Sequence, residues 1–162
     1  MKSFDINIHI ERYSMEELSA DDSQLVEQAC RNTSRSYAPY SRFHVGAALK
    51  LADGTIVDGA NQENASFPVG TCAERSAFFF AQAQYPDAAP VAIAIAAETG
   101  GHFTPQPVAP CGMCRQALLE AETRYGQPIR VLLYGTEGVY VVPNIASLLP
   151  LVFDGSALEL ED

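Results

Sequence analysis

The chain has 162 residues, 48% of them apolar and 19% charged, and a formal net charge of −10. That length fits one domain with a full hydrophobic core, and the apolar share excludes a disordered chain. So acidic a surface repels phosphate backbones and anionic membranes, which speaks against a nucleic-acid or membrane partner.

The opening stretch MKSFDINIHIERYS has no apolar signal core, and no later run reaches ~18 uninterrupted apolar residues, so a cytoplasmic chain is expected. Within it, FDINIHIE alternates Phe4, Ile6, Ile8 and Ile10 with polar residues and predicts a half-exposed strand. ADDSQLVEQACRNTSRSY opens on aspartate cap candidates and repeats apolar residues at helical spacing, from Leu25 to Tyr37. VGAALKL and TIVDGAN flank ADG and predict a hairpin. A helix over TCAERSAFFFA follows, then VAIAIAA, whose unbroken apolar run predicts an interior strand covered on both faces. CRQALLEAETRY predicts a helix, IRVLLY and GVYVV two strands, and NIASLLP a short helix. Helices alternating with apolar strands predict an α/β domain of three α/β/α layers around one mixed sheet, spanning residues 1–162. GTEG is too short for a parallel crossover, so the last two strands should be antiparallel. There is no repeat, low-complexity tract or linker.

The four cysteines are Cys30, Cys72, Cys111 and Cys114. Clustered thiols in a chain with a full core suit metal binding or catalysis better than disulfides. Cys111 and Cys114 form a C-x-x-C pair at one predicted helix start, and Cys72 lies at another. Helix N-termini carry unsatisfied N–H donors and partial positive charge, which favour thiolates. Three such thiolates can hold one Zn²⁺ with a fourth position open, the layout of a catalytic site. Cys30 reads as a core residue of the first helix. Glu74, two residues from Cys72, does not readily share that ion; a carboxylate beside it is suited to moving a proton. Arg75 is read as a donor that draws charge from the sulfurs, while Arg115 is either such a donor or a surface cation.

The Cys-Ala-Glu and Pro-Cys-x-x-Cys blocks, separated by residues 75–109, resemble the zinc signature of nucleobase deaminases. With SYAPYSRFHVGAAL, GANQENASF, CAER and PCGMCRQ taken together, the chain is similar to the free-nucleoside cytidine deaminases, the small homotetrameric kind with three cysteine ligands. The likeness runs from about Tyr37 to Phe153 and leaves residues 1–20 as an N-terminal extension. It implies a cytidine-deaminase-like fold with a five-stranded mixed core sheet and, here, an extra N-terminal strand. It implies Zn²⁺, one per subunit, on Cys72, Cys111 and Cys114, with Glu74 as catalytic acid and base. Phe43 is then expected to stack on the pyrimidine, and Asn61 and Glu63 to bind the ribose. The Ala65 N–H, the backbone at Ala73 and the carbonyl near Ala109 would add contacts to the nucleoside.

One departure is Phe67, where the family often has a tyrosine. Phe78, Phe79 and Phe80 sweep ~200° of a helix, so that helix is covered either by neighbouring subunits or within its own. Cytidine and 2′-deoxycytidine deamination in pyrimidine salvage is the function this implies. The rivals are a deaminase of a modified cytosine nucleoside, a polynucleotide or tRNA deaminase, and a non-enzymatic zinc-stabilised module.

Overall fold

A computed structural model describes residues 1–158. Its strands are β1 (Glu11–Tyr13), β2 (Phe43–Leu51), β3 (Ile56–Ala60), β4 (Pro90–Thr99), β5 (His102–Phe103), β6 (Arg130–Gly135) and β7 (Gly138–Val142). The α-helices are α1 (Ala20–Asn32), α2 (Ala73–Gln84) and α3 (Gly112–Tyr125). One mixed sheet runs in the order β1-β7-β6-β4-β2-β3, with β5 attached to β4. β4 and β6 are parallel, with α3 as their crossover, and β6 and β7 are antiparallel as the short GTEG link requires.

The layers follow from the two faces of β4. Ile93 and Ile95 join the core under α2 and α3, with Leu118, Leu119, Val131 and Leu133. Ala92, Ala94 and Ala96 face the other way, toward Leu25, Val26 and Ala29 of α1. Small residues on that face let α1 lie close. At Gly46 of β2 an added Cβ would fall 2.1 Å from the Ala29 carbonyl oxygen, so only glycine fits.

Helix α1 is capped by Ser19, whose Oγ accepts from the Asp22 N–H at 3.1 Å. The aspartates expected as caps lie instead in the first turn, where the helix dipole favours them. The helix ends at Asn32 and passes into a 3-10 turn, so Tyr37 is exposed rather than on its apolar face. The last predicted helix is a single 3-10 turn, Ala146–Leu148.

The N-terminal strand is displaced from its expected place. It covers Glu11–Tyr13 and pairs with the edge of β7, whereas Phe4, Ile6, Ile8 and Ile10 lie outside any strand and are 43–77% exposed. Alternation supplied the pattern there, but β7, the strand that β1 joins, ends at Val142 before these residues can pair with it.

Gly59 of β3 fixes where α2 begins. An added Cβ would stand 2.2 Å from the Ala73 carbonyl oxygen and 2.8 Å from Ala77. Gly59→Ala is therefore expected to push the first turn of α2 off the sheet and cost ~1–3 kcal/mol in urea unfolding. Gly112→Ala, which meets no atom within 4 Å, should stay within about 0.5 kcal/mol of the parent.

Candidate active site

Cys72 and Cys111 occupy the N-cap positions of α2 and α3, with extended backbone (φ −77°, ψ 156° and φ −66°, ψ 166°). Neither side chain accepts a capping hydrogen bond, so both sulfurs are free to turn toward a common point. Cys114, one turn into α3, completes the set and is fully buried. The Cys72 and Cys111 sulfurs are 3.8 Å apart and the Cys111 and Cys114 sulfurs 3.4 Å apart. All three lie within 4.8 Å of one another. Tetrahedral Zn–S bonds of ≈ 2.3 Å imply sulfur separations of about 3.8 Å, so this donor set fits such an ion without rearranging the helices.

The surroundings favour thiolate. The Cys72 thiol is pulled down to about 5, first by its hydrogen bond with Cys114 and, against burial, by Arg75 beside it. The same bond and burial push Cys114 up, so the negative charge settles on Cys72. The Nε of Arg75 is buried and has no hydrogen-bond partner among the described residues, and Arg75 lines the same cavity as Cys72. Arg115 points elsewhere. Its Nε donates to the Pro110 carbonyl and a terminal nitrogen to the Leu148 carbonyl, both at 2.8 Å. It fixes the residue before Cys111: where the sequence left open a donor to sulfur or a surface cation, these two bonds hold the loop. Cys30 lies on α1, on the opposite side of the sheet, its thiol pushed up to about 12 chiefly by burial.

These groups open on a cavity of about 770 Å³. Phe43, Asn61, Glu63, Cys72, Ala73, Glu74, Arg75, Ala109 and Cys111 all line it. Ala65 does not; it is exposed on the loop beyond. Glu74 is only 4% exposed, and burial is the chief cause holding its carboxyl above the ordinary value of 4.5.

Asn61 and Glu63 are tied first to their own backbone. Asn61 Oδ1 accepts from the Val45 N–H at 2.8 Å and from the Ser36 hydroxyl, while its Nδ2 donates to the Phe43 carbonyl at 2.9 Å. Glu63 Oε2 accepts from the Tyr40 N–H at 2.8 Å and the Ser41 N–H at 3.3 Å. Among the described residues, one amide hydrogen of Asn61 and one oxygen of Glu63 have no hydrogen-bond partner. Both side chains hold the segment that aims Phe43, whose neighbour Arg42 turns the chain at φ 56°. Tyr40, Phe67, Val108 and Met113 also line the cavity and were not singled out as contacts from sequence. Phe67 stacks edge-on against Tyr40 at 5.8 Å. Tyr40 lies in the same SYAPYSRF block as Phe43, the one signal that could have found it.

Residues 19–125 match the family described as "Cytidine and deoxycytidylate deaminase zinc-binding region". The chain belongs to the cytidine deaminase family. It is 40% identical over 136 residues to a cytidine deaminase of Halalkalibacterium halodurans, covering 82% of this chain and 94% of that one. A cytidine deaminase of Sporosarcina psychrophila is 39% identical, covering 82% and 91%. Among solved structures, the cytidine deaminase of Burkholderia pseudomallei superposes with a TM-score of 0.69 at 41% identity, over 80% of this chain and 97% of that one. That of Mycobacterium tuberculosis gives 0.66 at 29% identity, over 84% and 99%. As a member, this chain is an enzyme of a hydrolytic deaminase family, with the architecture of those structures.

Glu74 gives a testable pH dependence in metal-stripped protein. Folded Glu74 holds its proton more tightly than the unfolded chain does. Its contribution to stability is complete below the unfolded value of 4.5 and is lost as pH rises through the higher folded value. As pH rises above 4.5 the stability of metal-stripped parent should therefore fall more steeply than that of Glu74→Gln, measured by thermal unfolding.

Proposed function

We propose that the protein hydrolyses cytidine and 2′-deoxycytidine to uridine and 2′-deoxyuridine with release of ammonia, as a cytoplasmic enzyme of pyrimidine salvage. One observation carries the reading: three sulfurs converge, with Cys114 buried behind Cys72 and Cys111, and those two and the buried Glu74 line the same cavity. Cys72, Cys111 and Cys114 would hold one Zn²⁺ per subunit, and that ion when bound supplies the Lewis acidity that lets water ionise near neutral pH.

The remaining chemistry belongs to the protein. Glu74 accepts a proton from water and delivers it to the pyrimidine N3 while the water oxygen bonds to C4. It then carries the second proton to the amine as the C4–N bond breaks, so one water is consumed for each ammonia released. Burial suits Glu74 to both steps, because it raises the carboxyl's affinity for a proton above the ordinary value. Phe43 stacks on the base, and the free amide hydrogen of Asn61 and free oxygen of Glu63 bind ribose hydroxyls. The Ala73 backbone and the Ala109 carbonyl read the base edge from the cavity wall, and the Ala65 N–H contributes from the loop outside it. Arg75 steadies the charge on sulfur; Arg115 holds the Pro110 carbonyl and so the approach to Cys111.

Four copies would complete the enzyme. Phe78 is buried, but Phe79 and Phe80 on the same helix are more than half exposed, which supports a homotetramer that covers them.

Glu74→Gln is expected to keep stoichiometric zinc and lose ~10²–10⁴-fold in turnover of cytidine, read from the ultraviolet absorbance change and a metal assay. Near-parental turnover would reject Glu74 as the proton carrier. The same assay on cytidine, 2′-deoxycytidine, CMP and a modified cytosine nucleoside should show the first two as best substrates. Tight, salt-sensitive binding of single-stranded DNA or RNA would instead favour the polynucleotide reading.

A further inference from the structure

Residues 4–10 alternate as a strand would, yet among the described residues they pair with no strand of the sheet. β1 pairs antiparallel with β7, Glu11 opposite Val141 and Tyr13 opposite Val139. Continuing that register sets Ile10 opposite Val142, the last residue of β7, and His9 opposite Pro143. Proline has no N–H to give a ladder. Further along, Ile145 and Ala146 donate to the Glu122 carboxylate at 2.7 and 3.2 Å, and Ser147 donates to Asn144 Oδ1 at 2.7 Å. The edge of the sheet therefore ends where the segment begins, and Arg12 fastens its base through a hydrogen bond to the Glu137 carbonyl.

Beyond that base, Phe4, Ile6, Ile8 and Ile10 fall on one side of an extended chain and Asp5, Asn7 and His9 on the other. All four apolar side chains are exposed. Residues 4–10 span about 23 Å when extended, enough to reach across to a neighbouring molecule. Residues 1–10 contain one lysine and one aspartate, a side-chain sum of zero, so the remaining residues carry the whole net charge of −10. The segment is thus the part of an acidic chain that can approach another acidic copy without like-charge repulsion, and it lacks the basic charge an anionic partner would select.

We infer that residues 4–10 are an arm that docks as a β-strand on a second copy of this chain. Backbone ladder bonds give it purchase, and alternate apolar side chains give it register on that surface. The arm shares only self-association with the proposed function. An intact assembly whose arm touches no neighbour defeats the arm and leaves the tetramer standing.

The test uses full-length, zinc-loaded protein carrying a photo-crosslinking residue at position 8, mixed as tagged and untagged copies. Crosslinks are expected between the two kinds of copy. Sedimentation should show the assembly dissociating at about tenfold or more higher concentration after deletion of residues 1–10. The double variant Ile6→Glu, Ile8→Glu, altered only at exposed positions, should act in the same direction. Crosslinks confined to one chain, unchanged assembly in both variants, or arm-dependent binding to anionic or neutral lipid vesicles in place of interchain crosslinks would each overturn the inference.

Discussion

The chemistry of this protein depends on the first turns of α2 and α3 lying close enough for sulfurs from both to share one point. That is a packing constraint before it is a chemical one. α2 begins hard against β3 because Gly59 leaves room for the Ala73 carbonyl, and α3 begins where Arg115 draws in the Pro110 carbonyl. The two helices then bury one face each against Ile93, Ile95 and Val131 of the same sheet. Shift either helix by an ångström and the sulfurs, now 3.4 and 3.8 Å apart, no longer suit a tetrahedral ion.

The placement also explains why a cluster of three thiols does not disrupt the core. Cysteine is a poor cap, and neither Cys72 nor Cys111 closes its helix start with a side-chain bond. The unsatisfied N–H groups and the dipole of each helix instead favour charge on sulfur. Arg75 adds a full positive charge from within the first turn of α2. Glu74 sits next to it in sequence yet is buried away from solvent, so the same turn presents one group that prefers to be charged and one that prefers its proton. Neighbouring titratable groups pushed in opposite directions are what acid–base chemistry at neutral pH requires.

Much of this was legible in the sequence, for identifiable reasons. The C-A-E and P-C-x-x-C blocks are local, and helix starts are marked by local signals, so the sulfurs' convergence followed once both helices packed on one sheet face. The antiparallel β6–β7 pair followed from loop length alone. What sequence did not carry was partner choice. Arg115 looks the same whether it donates to sulfur or to the carbonyls of Pro110 and Leu148, the latter 33 residues away, and only the fold brings Leu148 near it. Asn61 reads as a ligand-binding amide, yet most of its valence is used on Val45, Ser36 and Phe43. Phe4 to Ile10 alternate as a strand should, but alternation cannot say whether an edge is available.

The sheet's connectivity puts every part of the site at one end. β4 is the strand where direction changes, parallel to β6 on one side and antiparallel to β2 on the other. Phe43, at the start of β2, pairs with Thr99 at the end of β4, so this cavity-lining side chain stands at β4's carboxyl end. β3 runs antiparallel to β2 and ends there too, delivering Asn61 and then the loop to Cys72. The chain leaving β4 returns through Ala109 to Cys111 on the same side. Open α/β sheets bind ligands in the crevice at strand carboxyl ends where the order reverses, because connections diverge there to opposite faces and leave a gap. Here the gap is filled from above by two helix starts, so the cavity is formed by topology and its reactivity by the few residues that begin those helices.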